Sequence, residues 1–299
     1  MKTPSFLKKG DKIAIVSTAR KISPEDIAVA VTTFNSWGLD VYFEETLFSS
    51  YHQFAGDDNE RRAYFQRMLD DDAVRAIICA RGGYGTIRII DGMDFSRFIR
   101  KPKWIVGYSD ITVLHSHVSS NFGIETIHGI MPFNITGSPF SLESAETLRI
   151  ALFGESLKYR MPSAGCDRPG KCKGILTGGN LSIIYSLSAS VSDIVTDGKI
   201  LFLEDLDEYL YHIDRMMMNL KRAGKLEKLA GLIVGHMSKM RDNEVHFGAT
   251  AYEIVMDAVS EFDYPVFCGF PAGHEEDNRA LIMGREVRME VDDGLVLSF

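Results

Sequence analysis

The sequence predicts an α/β protein whose main sheet is parallel and carries helices on both faces. Two observations lead to this class. In the first half of the chain, short apolar runs typical of buried strands alternate with longer amphipathic runs typical of helices. Strands and helices follow one another closely, as expected where parallel neighbours are joined by helical crossovers. The second half alternates less regularly and predicts a smaller α/β or α+β domain.

The first half of the chain supplies the elements of the parallel sheet. One helix shows both of its ends, because Ser23 and Pro24 form a typical helix start and Gly38 a typical end. Ligands of such sheets bind beyond the carboxyl ends of the strands, so polar residues there are the first candidates for a site. The periodicity predicts strands at residues 12–18, 41–45, 74–80, 103–108 and 124–130, and helices at 23–38, 57–71, 86–91, 110–121 and 141–152.

Residues 155–173 interrupt this pattern. They contain two prolines, two glycines and five basic residues but little apolar periodicity, which predicts a linker. The predicted organisation is therefore a first domain at 1–154, the linker, and a second domain at 174–299. The second domain is expected to contain strands at 199–205, 229–235 and 265–270, helices near 210–222 and 249–260, and two short strands at its end.

Composition and charge disfavour several classes of protein. The 299 residues are 45% hydrophobic and 25% charged, which is typical of globular proteins with a full core. Thirty-three basic and 41 acidic residues give a net charge of −8 without a basic block, so neither nucleic acid nor an anionic membrane is expected as a partner. No apolar run approaches the roughly 18 residues of a membrane span, and no signal-peptide pattern is present. We therefore expect a cytoplasmic protein with reduced cysteines.

The four cysteines lie far apart in the sequence. Cys79 and Cys268 stand inside apolar runs and are expected to be buried thiols. Cys166 and Cys172 could pair, but their spacing is not that of a CxxC motif and no histidine accompanies them. No structural zinc site is therefore predicted.

Ser109 stands at the corner between a predicted strand and a predicted helix. Its hydroxyl is expected at the carboxyl end of a parallel strand and at the positive end of a helix, where backbone N–H groups can stabilise an oxyanion. The simpler interpretation, favoured by the local sequence, is that Ser109 or Asp110 only caps the helix. The GxSxG signature of α/β-hydrolases is not met, because Ile111 occupies the position of its last glycine.

A glycine-rich segment, CARGGYGT at 79–86, follows the third predicted strand. Gly82, Gly83 and Gly85 allow the backbone to approach a ligand closely and to direct N–H groups at it. The pattern is neither GxGxxG nor a P-loop, so a nucleotide site is weakly supported. A turn that needs positive φ is the alternative. Arg81 could face a carboxylate or could be a surface charge.

Two further side chains stand near strand ends in the second half. Glu204 ends an apolar run, where a carboxylate is costly if buried without a partner. Asp205 and its acidic neighbours are expected to be exposed or to lie at a helix start. His274 stands in a loop rich in glycine and proline, with room for a ligand, and His236 is the strongest rival as a base.

Ser109, Glu204 and His274 together make a chemically complete set. A serine nucleophile needs a base to accept its proton and a carboxylate to orient that base. His115 and His117 lie too far along their helix to reach Ser109 at its start. From spacing alone, the set remains one choice among several.

Five stretches of the sequence together resemble the LD-carboxypeptidase family of serine peptidases, the muramoyltetrapeptide carboxypeptidases. They are ARGGYG at 80–85, GYSDIT at 107–112, LTGGNLS at 176–182, LFLED at 201–205 and GFPAGH at 269–274. The resemblance implies a flavodoxin-like N-terminal domain and a smaller, swivelling β/β/α-like C-terminal domain, with the active site between them. It covers most of the chain.

The resemblance also implies roles for individual residues. Ser109 would be the nucleophile, His274 the general base and Glu204 the residue that orients it. The backbone N–H groups of Asp110 and Gly83 would form the oxyanion hole. Substrate contacts are expected from the glycine-rich segment, namely from Arg81, Gly82 and Tyr84.

The same resemblance implies a cytoplasmic homodimer without metal or cofactor that releases the terminal D-alanine of murein tetrapeptides. Two stretches depart from the family pattern, HGIMPF at 128–133 and ALIMG at 280–284, where relatives often have a proline, and both bear on the substrate. A microcin-immunity peptidase acting on a peptidyl-nucleotide antibiotic is the alternative. It is disfavoured because no tryptophan-bearing insertion is present, and Trp37 and Trp104 both belong to the first domain.

Two other classes of protein compete with this interpretation. A non-catalytic protein could bind a small molecule at the glycine-rich segment, but it would leave Glu204 and His274 without a shared purpose. An esterase of the α/β-hydrolase type shares the order of serine, acid and histidine. The absent GxSxG signature and the predicted linker argue against it.

Overall fold

Five parallel strands and the helices between them build the first half of the molecule. The computed structural model describes residues 1–163 and 165–299. The parallel strands lie in the order β2-β1-β3-β4-β5, which is the flavodoxin-like order. They are β1 (Lys12–Val16), β2 (Asp40–Tyr42), β3 (Val74–Cys79), β4 (Trp104–Gly107) and β5 (Thr126–His128).

Two helices of this half begin at the capping residues that their sequences contain, whereas the short helix at Ser96–Arg100 was not predicted. Ser23 donates its backbone N–H to Asp26 at 2.9 Å, and Asp57 accepts N–H groups at the next helix start. The α-helices are α1 (Pro24–Ser36), α2 (Asp58–Asp70), α3 (Thr86–Ile89), α4 (Ser96–Arg100), α5 (Thr112–Phe122) and α6 (Pro139–Phe153). Short 3₁₀ turns lie at Glu45–Phe48, Ile90–Gly92, Ser109–Ile111 and Pro132–Asn134.

A second sheet of seven strands forms most of the remaining chain. Four of its strands are parallel, in the order β7-β8-β9-β10, and three antiparallel strands extend it beyond β7 in the order β12-β13-β6. The strands are β6 (Lys158–Pro162), β7 (Gly170–Asn180), β8 (Ile200–Leu206), β9 (Gly231–Ser238), β10 (Val266–Cys268), β12 (Glu286–Val291) and β13 (Gly294–Ser298). The helices are α7 (Leu181–Ser186), α8 (Leu210–Arg222) and α9 (Ala251–Ala258).

One strand of the second half belongs to the first sheet. The segment β11 (Leu281–Met283) pairs antiparallel with β5, and its three residues are fully buried. This strand had no counterpart among the predicted elements. Its position ties the chain that follows His274 to the sheet that carries Ser109.

Residues 155–163 and 165–173 do not form the linker that the sequence predicts. They contain β6 and the start of β7, both paired in the second sheet. Tyr159 is buried while Lys158 and Arg160 are exposed, so the strand alternates between the core and solvent. Lys158 and Arg160, two of the five basic residues that suggested a linker, lie on the exposed face of this strand.

Two hydrophobic cores lie behind these sheets. The larger one surrounds the first sheet and reaches the inner face of the second. The smaller one fills the space between β8, β9 and the helices α8 and α9. Among the helices described, none is long and apolar enough to cross a membrane.

We expect Tyr159→Ala to lower the free energy of unfolding by about 3–5 kcal/mol, because it removes a buried aromatic ring. The ring packs against Phe270, and its hydroxyl donates to the carbonyl oxygen of Ala280 at 2.7 Å. Arg160→Ala, one residue further along β6, should change stability by no more than about 0.5 kcal/mol. Urea denaturation of both variants measures the difference. Equal, small effects would show that this segment does not pack as a strand.

Candidate active site

Ser109 lies at a tight corner between β4 and α5. Its φ of 62° is left-handed, which is unusual for a residue with a side chain and recurs at functional sites. Gly107, just before it, has no room for a side chain, because a Cβ there would lie 2.7 Å from Cγ1 of Ile111. The corner therefore holds the Ser109 hydroxyl above the carboxyl end of the sheet.

His274 joins Ser109 to Glu204. Its Nε2 lies 2.9 Å from Ser109 Oγ, and its Nδ1 lies 2.7 Å from Glu204 Oε2. This geometry suits the tautomer in which Nδ1–H donates to the carboxylate and Nε2 accepts from the serine hydroxyl. Glu204 lies on β8, Ser109 follows β4, and His274 lies in the loop after β10. The structure therefore brings together the set that the sequence proposed.

Glu204 is a carboxylate buried inside the protein. It is 0% exposed, and His274 is the partner of its Oε2, while Oε1 has no hydrogen-bond partner in residues 1–163 and 165–299. Gly273 allows this approach, because a Cβ there would lie 2.9 Å from Glu204 Oε2. A lone buried carboxylate favours a positive charge on the imidazole beside it.

The pKa of His274 reflects two opposing effects. Burial by itself lowers it, but the charge and hydrogen bond of Glu204, together with the charges of Asp205 and Glu275, raise the pKa above the usual histidine value. The ring is therefore a stronger base than a free imidazole. A general base that accepts the Ser109 proton benefits from this shift.

The rival base is placed differently. His236 is half-buried, and burial lowers its pKa. No hydrogen bond joins it to Ser109 among the residues described, and its Cβ packs beside Gly273. His115, on α5, is buried against the sheet, where its ring nitrogens bond Thr126 Oγ1 and the carbonyl oxygen of Gly107, each at 2.8 Å. Neither histidine replaces His274.

Asp205 is buried and not exposed, and it lies at a helix start, the second of the two positions expected for it. Its carboxylate accepts the Asn180 side-chain amide at 3.0 Å and the Ser182 N–H at 2.9 Å, at the start of α7. An irregularity in the pairing of β8 with β9 lies between Leu203 and Asp205, so simple alternation along the strand fails there. Burial and the neighbouring Glu204 raise the pKa of Asp205 to about 7.

Asp110 connects the corner to the glycine-rich segment. Its carboxylate is buried and accepts the backbone N–H of Thr86 at 2.9 Å, so it holds the start of α3 rather than capping its own helix. Burial raises its pKa. Within the residues described, the backbone N–H groups of Asp110 and Gly83 have no hydrogen-bond partner. Their assignment to an oxyanion hole stays a prediction.

The glycine-rich segment lies directly against the serine. A Cβ at Gly82 would lie 3.0 Å from Cβ and 3.2 Å from Oγ of Ser109. Gly83 has a φ of 117°, which favours glycine. Tyr84 is 49% exposed and packs near Phe54, outside the cavity around Ser109. The structure thus places Gly82 and Gly83 at the site and Tyr84 beside it.

Two adjoining cavities open onto His274 and carry opposite charges. The first, of about 400 Å³, is lined by the cationic side chains Arg20, Arg81 and Lys239 together with Ser109. The second, of about 510 Å³, carries four carboxylates. These belong to Glu25, Asp26, Glu275 and Glu276.

Arg20 and Lys239 were not predicted from the sequence. Both follow the carboxyl ends of parallel strands, β1 and β9, so the rule that led to Ser109 also applied to them. Lys239 adopts a φ of 51°, as Ser109 does at its own strand end. The acidic cavity gave no local signal, because its residues come from α1 and from the loop after β10.

Family models cover most of the chain. A model of the LD-carboxypeptidase N-terminal domain matches residues 13–129, and a model of the LD-carboxypeptidase C-terminal domain matches residues 173–289. The chain belongs to the LD-carboxypeptidase family. Membership of this family of serine peptidases, peptidase family S66, makes it a hydrolase of the carboxypeptidase class.

Two relatives that match more than nine-tenths of the chain are named as murein peptide carboxypeptidases. A probable murein peptide carboxypeptidase of Bacillus subtilis is 34% identical over 293 residues, which are 96% of this chain and 91% of the relative. The murein tetrapeptide carboxypeptidase of Pseudomonas aeruginosa is 24% identical over 93% of each chain.

Solved structures show the same two-domain fold. The muramoyltetrapeptide carboxypeptidase of Oxalobacter formigenes is similar with a TM-score of 0.86 and 25% identity, covering 96% of this chain and 97% of that one. The microcin C7 self immunity protein MccF, in complex with aspartyl sulfamoyl adenosine, has a TM-score of 0.88 at 19% identity, covering 98% and 97%. At that identity the second likeness concerns the fold alone.

We expect Glu204→Gln to lower the pKa of His274, because the substitution removes the negative charge that raises it. Wild-type His274 should titrate above an unperturbed histidine in a pH series of NMR spectra, and the variant should titrate at lower pH. Glu275→Gln, at an exposed neighbour, is the control and should shift the titration much less. Identical curves for wild type and Glu204→Gln would contradict the interaction.

Proposed function

We propose that this protein is a serine carboxypeptidase that releases the terminal D-alanine from murein tetrapeptides by acyl transfer. The observation that carries the proposal is the hydrogen-bonded chain from Ser109 through His274 to the buried Glu204, at the mouth of a cationic cavity. The names of the full-length relatives support murein peptides as the substrate class.

The reaction begins with proton transfer from Ser109 to His274. The serine oxygen attacks the carbonyl carbon of the L-configured residue, and the N–H groups of Asp110 and Gly83 are proposed to stabilise the oxyanion. His274 then donates its proton to the nitrogen of D-alanine as the C–N bond breaks. A water molecule, deprotonated by His274, hydrolyses the ester and restores the serine. Glu204 stabilises the imidazolium in both halves of the cycle.

The cationic cavity suits an exopeptidase, since the leaving residue carries a free carboxylate. Arg81 packs with its guanidinium 3.9 Å from the centre of the Phe133 ring, which restricts its orientation. Burial and the charge of nearby Arg20 lower the pKa of Arg81. An anion bound between the two guanidinium groups would relieve this repulsion, so we propose that the D-alanine carboxylate binds there.

The acidic cavity lies on the other side of His274 and is proposed to bind the acyl part of the substrate. Lys239 and Phe133 line both cavities, so a peptide across the catalytic residues would reach from one to the other. The carboxylates of the acidic cavity favour a cationic side chain, such as lysine or diaminopimelate, at the third residue of the peptide. Because these carboxylates are largely exposed, replacing lysine by norleucine should raise KM only about three- to tenfold.

The proposal also includes a cytoplasmic homodimer whose chemistry uses no metal or cofactor. A cytoplasmic location requires that murein tetrapeptides reach the cytoplasm. Sedimentation analysis of the full chain measures the oligomeric state. The acyl-transfer steps above involve only protein groups and water.

A peptidase acting on peptidyl nucleotides is the second candidate, favoured by the fold likeness to MccF. The residues described around the two cavities include the aromatic side chains of Tyr108 and Phe133 but no tryptophan. A purine base would therefore have to stack on the ring of Tyr108 or Phe133. Faster hydrolysis of a peptidyl nucleotide than of a murein tetrapeptide would favour this second function.

Ser109→Ala should reduce release of D-alanine from a murein tetrapeptide by at least about 10⁴-fold, because no other group can form the acyl intermediate. Ser119→Ala, on the helix α5 that follows Ser109, is the matched control and should retain full activity. Amino-acid analysis of the released D-alanine measures both, and circular dichroism checks the fold. Wild-type rates in Ser109→Ala would overturn the mechanism.

Arg81→Ala should lower kcat/KM for the tetrapeptide roughly 10- to 100-fold, the range expected for loss of a charge-assisted hydrogen bond. The same variant should barely affect a substrate whose terminal carboxylate is amidated, since that substrate lacks the charge. Equal losses on both substrates would indicate that Arg81 serves the fold and not the carboxylate.

A further inference from the structure

A group of three potential metal ligands lies at the edge of the second sheet, away from the catalytic residues. The sulfurs of Cys166 and Cys268 and a carboxylate oxygen of Asp167 all lie within 4.8 Å of one another. In residues 1–163 and 165–299 this is the only such cluster of histidine, cysteine and acidic side chains. The pairing of Cys166 with Cys172 that the sequence left open is not what the structure shows.

Backbone pairing sets the two cysteines opposite each other. Arg168 and Val266 exchange N–H···O bonds of 2.8 and 3.0 Å, so the segment before β7 runs antiparallel to β10. Cys166 lies two residues before Arg168, and Cys268 lies two residues after Val266. In an antiparallel pair these two positions lie opposite each other. The sequence separates them by 102 residues, which is why no spacing motif revealed them.

The segment that carries Cys166 and Asp167 is held firmly without any metal. The guanidinium of Arg168 donates to the carbonyl oxygens of Phe262 and Val259, which lie beyond the end of α9. Asp167 Oδ1 accepts the backbone N–H of Cys268 at 2.8 Å. The three ligands therefore come from two strands whose relative position is already set.

Asp167 supplies the observation that points to a ligand. Its Oδ2 is buried and has no hydrogen-bond partner among the residues described. A buried carboxylate oxygen is costly unless a hydrogen-bond donor or a cation compensates it. The Cys268 thiol contacts the carbonyl oxygen of Cys166 at 3.6 Å, so it too lacks a strong partner.

We propose that Cys166, Cys268 and Asp167 Oδ2 bind a zinc-class divalent cation, with water as the fourth ligand. Zinc prefers thiolate and carboxylate donors in a tetrahedron, whose Zn–S bonds of about 2.3 Å place two sulfurs roughly 3.7 Å apart. The observed limit of 4.8 Å requires only a small closure. Binding replaces the two thiol protons, which are released to solvent, by one Zn²⁺.

The ion would connect β10 to the segment before β7. Because β10 lies at the edge of its sheet and leads into the loop that carries His274, the cation stabilises the support of that loop. It takes no part in the acyl-transfer chemistry. A disulfide between the two cysteines is the competing outcome, but it would leave Asp167 Oδ2 without a partner.

Cobalt titration of the reduced, chelator-treated full chain tests the site. Co²⁺ should produce a thiolate-to-cobalt charge-transfer band at one equivalent, and Zn²⁺ should abolish it. The band should disappear in Cys166→Ser and persist in the control Cys172→Ser, a half-buried cysteine outside the cluster. Asp167→Asn should weaken Co²⁺ binding at least about tenfold.

Thermal denaturation gives a second readout. Zn²⁺ at a free concentration about 100-fold above its dissociation constant should raise the midpoint of wild type by roughly 4–8 °C, and should leave Cys166→Ser unchanged. Absence of a charge-transfer band in wild type, or a band that survives in Cys166→Ser, would overturn the proposal. So would a Cys166–Cys268 disulfide that resists treatment with reductant, seen in a thiol titration as two missing free thiols.

Discussion

The buried hydrogen bond between Glu204 and His274 is the interaction on which the rest of the site depends. A carboxylate without solvent contact is tolerated here because the imidazole lies 2.7 Å away and can carry the compensating charge. The same contact raises the pKa of His274 and fixes the tautomer that faces Ser109. One contact therefore both compensates the buried carboxylate of Glu204 and makes His274 more basic.

This interaction has to hold across two sheets, and the loop around His274 is accordingly anchored to the first domain. Asn278 accepts the N–H of Gly273 at 3.0 Å and donates its own N–H to Ser144 on α6 at 2.8 Å. The strand β11 then pairs with β5 in the first sheet. The histidine thus reaches the serine from a segment that both domains hold in place.

Charge is distributed around this centre in a way that suits a zwitterionic peptide. Cations surround the serine side of the cleft, and carboxylates surround the far side of His274. The two cavities share residues, so under the proposed function a bound peptide would lie across His274 with its carboxylate and its amine at opposite ends. Most of these charges are exposed, so they select and orient the substrate more than they stabilise the fold.

Local patterns in the sequence determined the parallel sheet of the first domain, its helices and the candidate residues at the strand ends, because apolar periodicity and turn residues are properties of short segments. Only the tertiary structure decided four other features. Asp205 is buried, β6 lies in the predicted linker, β11 pairs with the first sheet, and Cys166 lies opposite Cys268. Each of these depends on contacts between segments far apart in the chain, on which the local sequence carries no signal. The same holds for Ser109, Glu204 and His274, whose residue types the sequence supplied and whose distances the packing of the two sheets set.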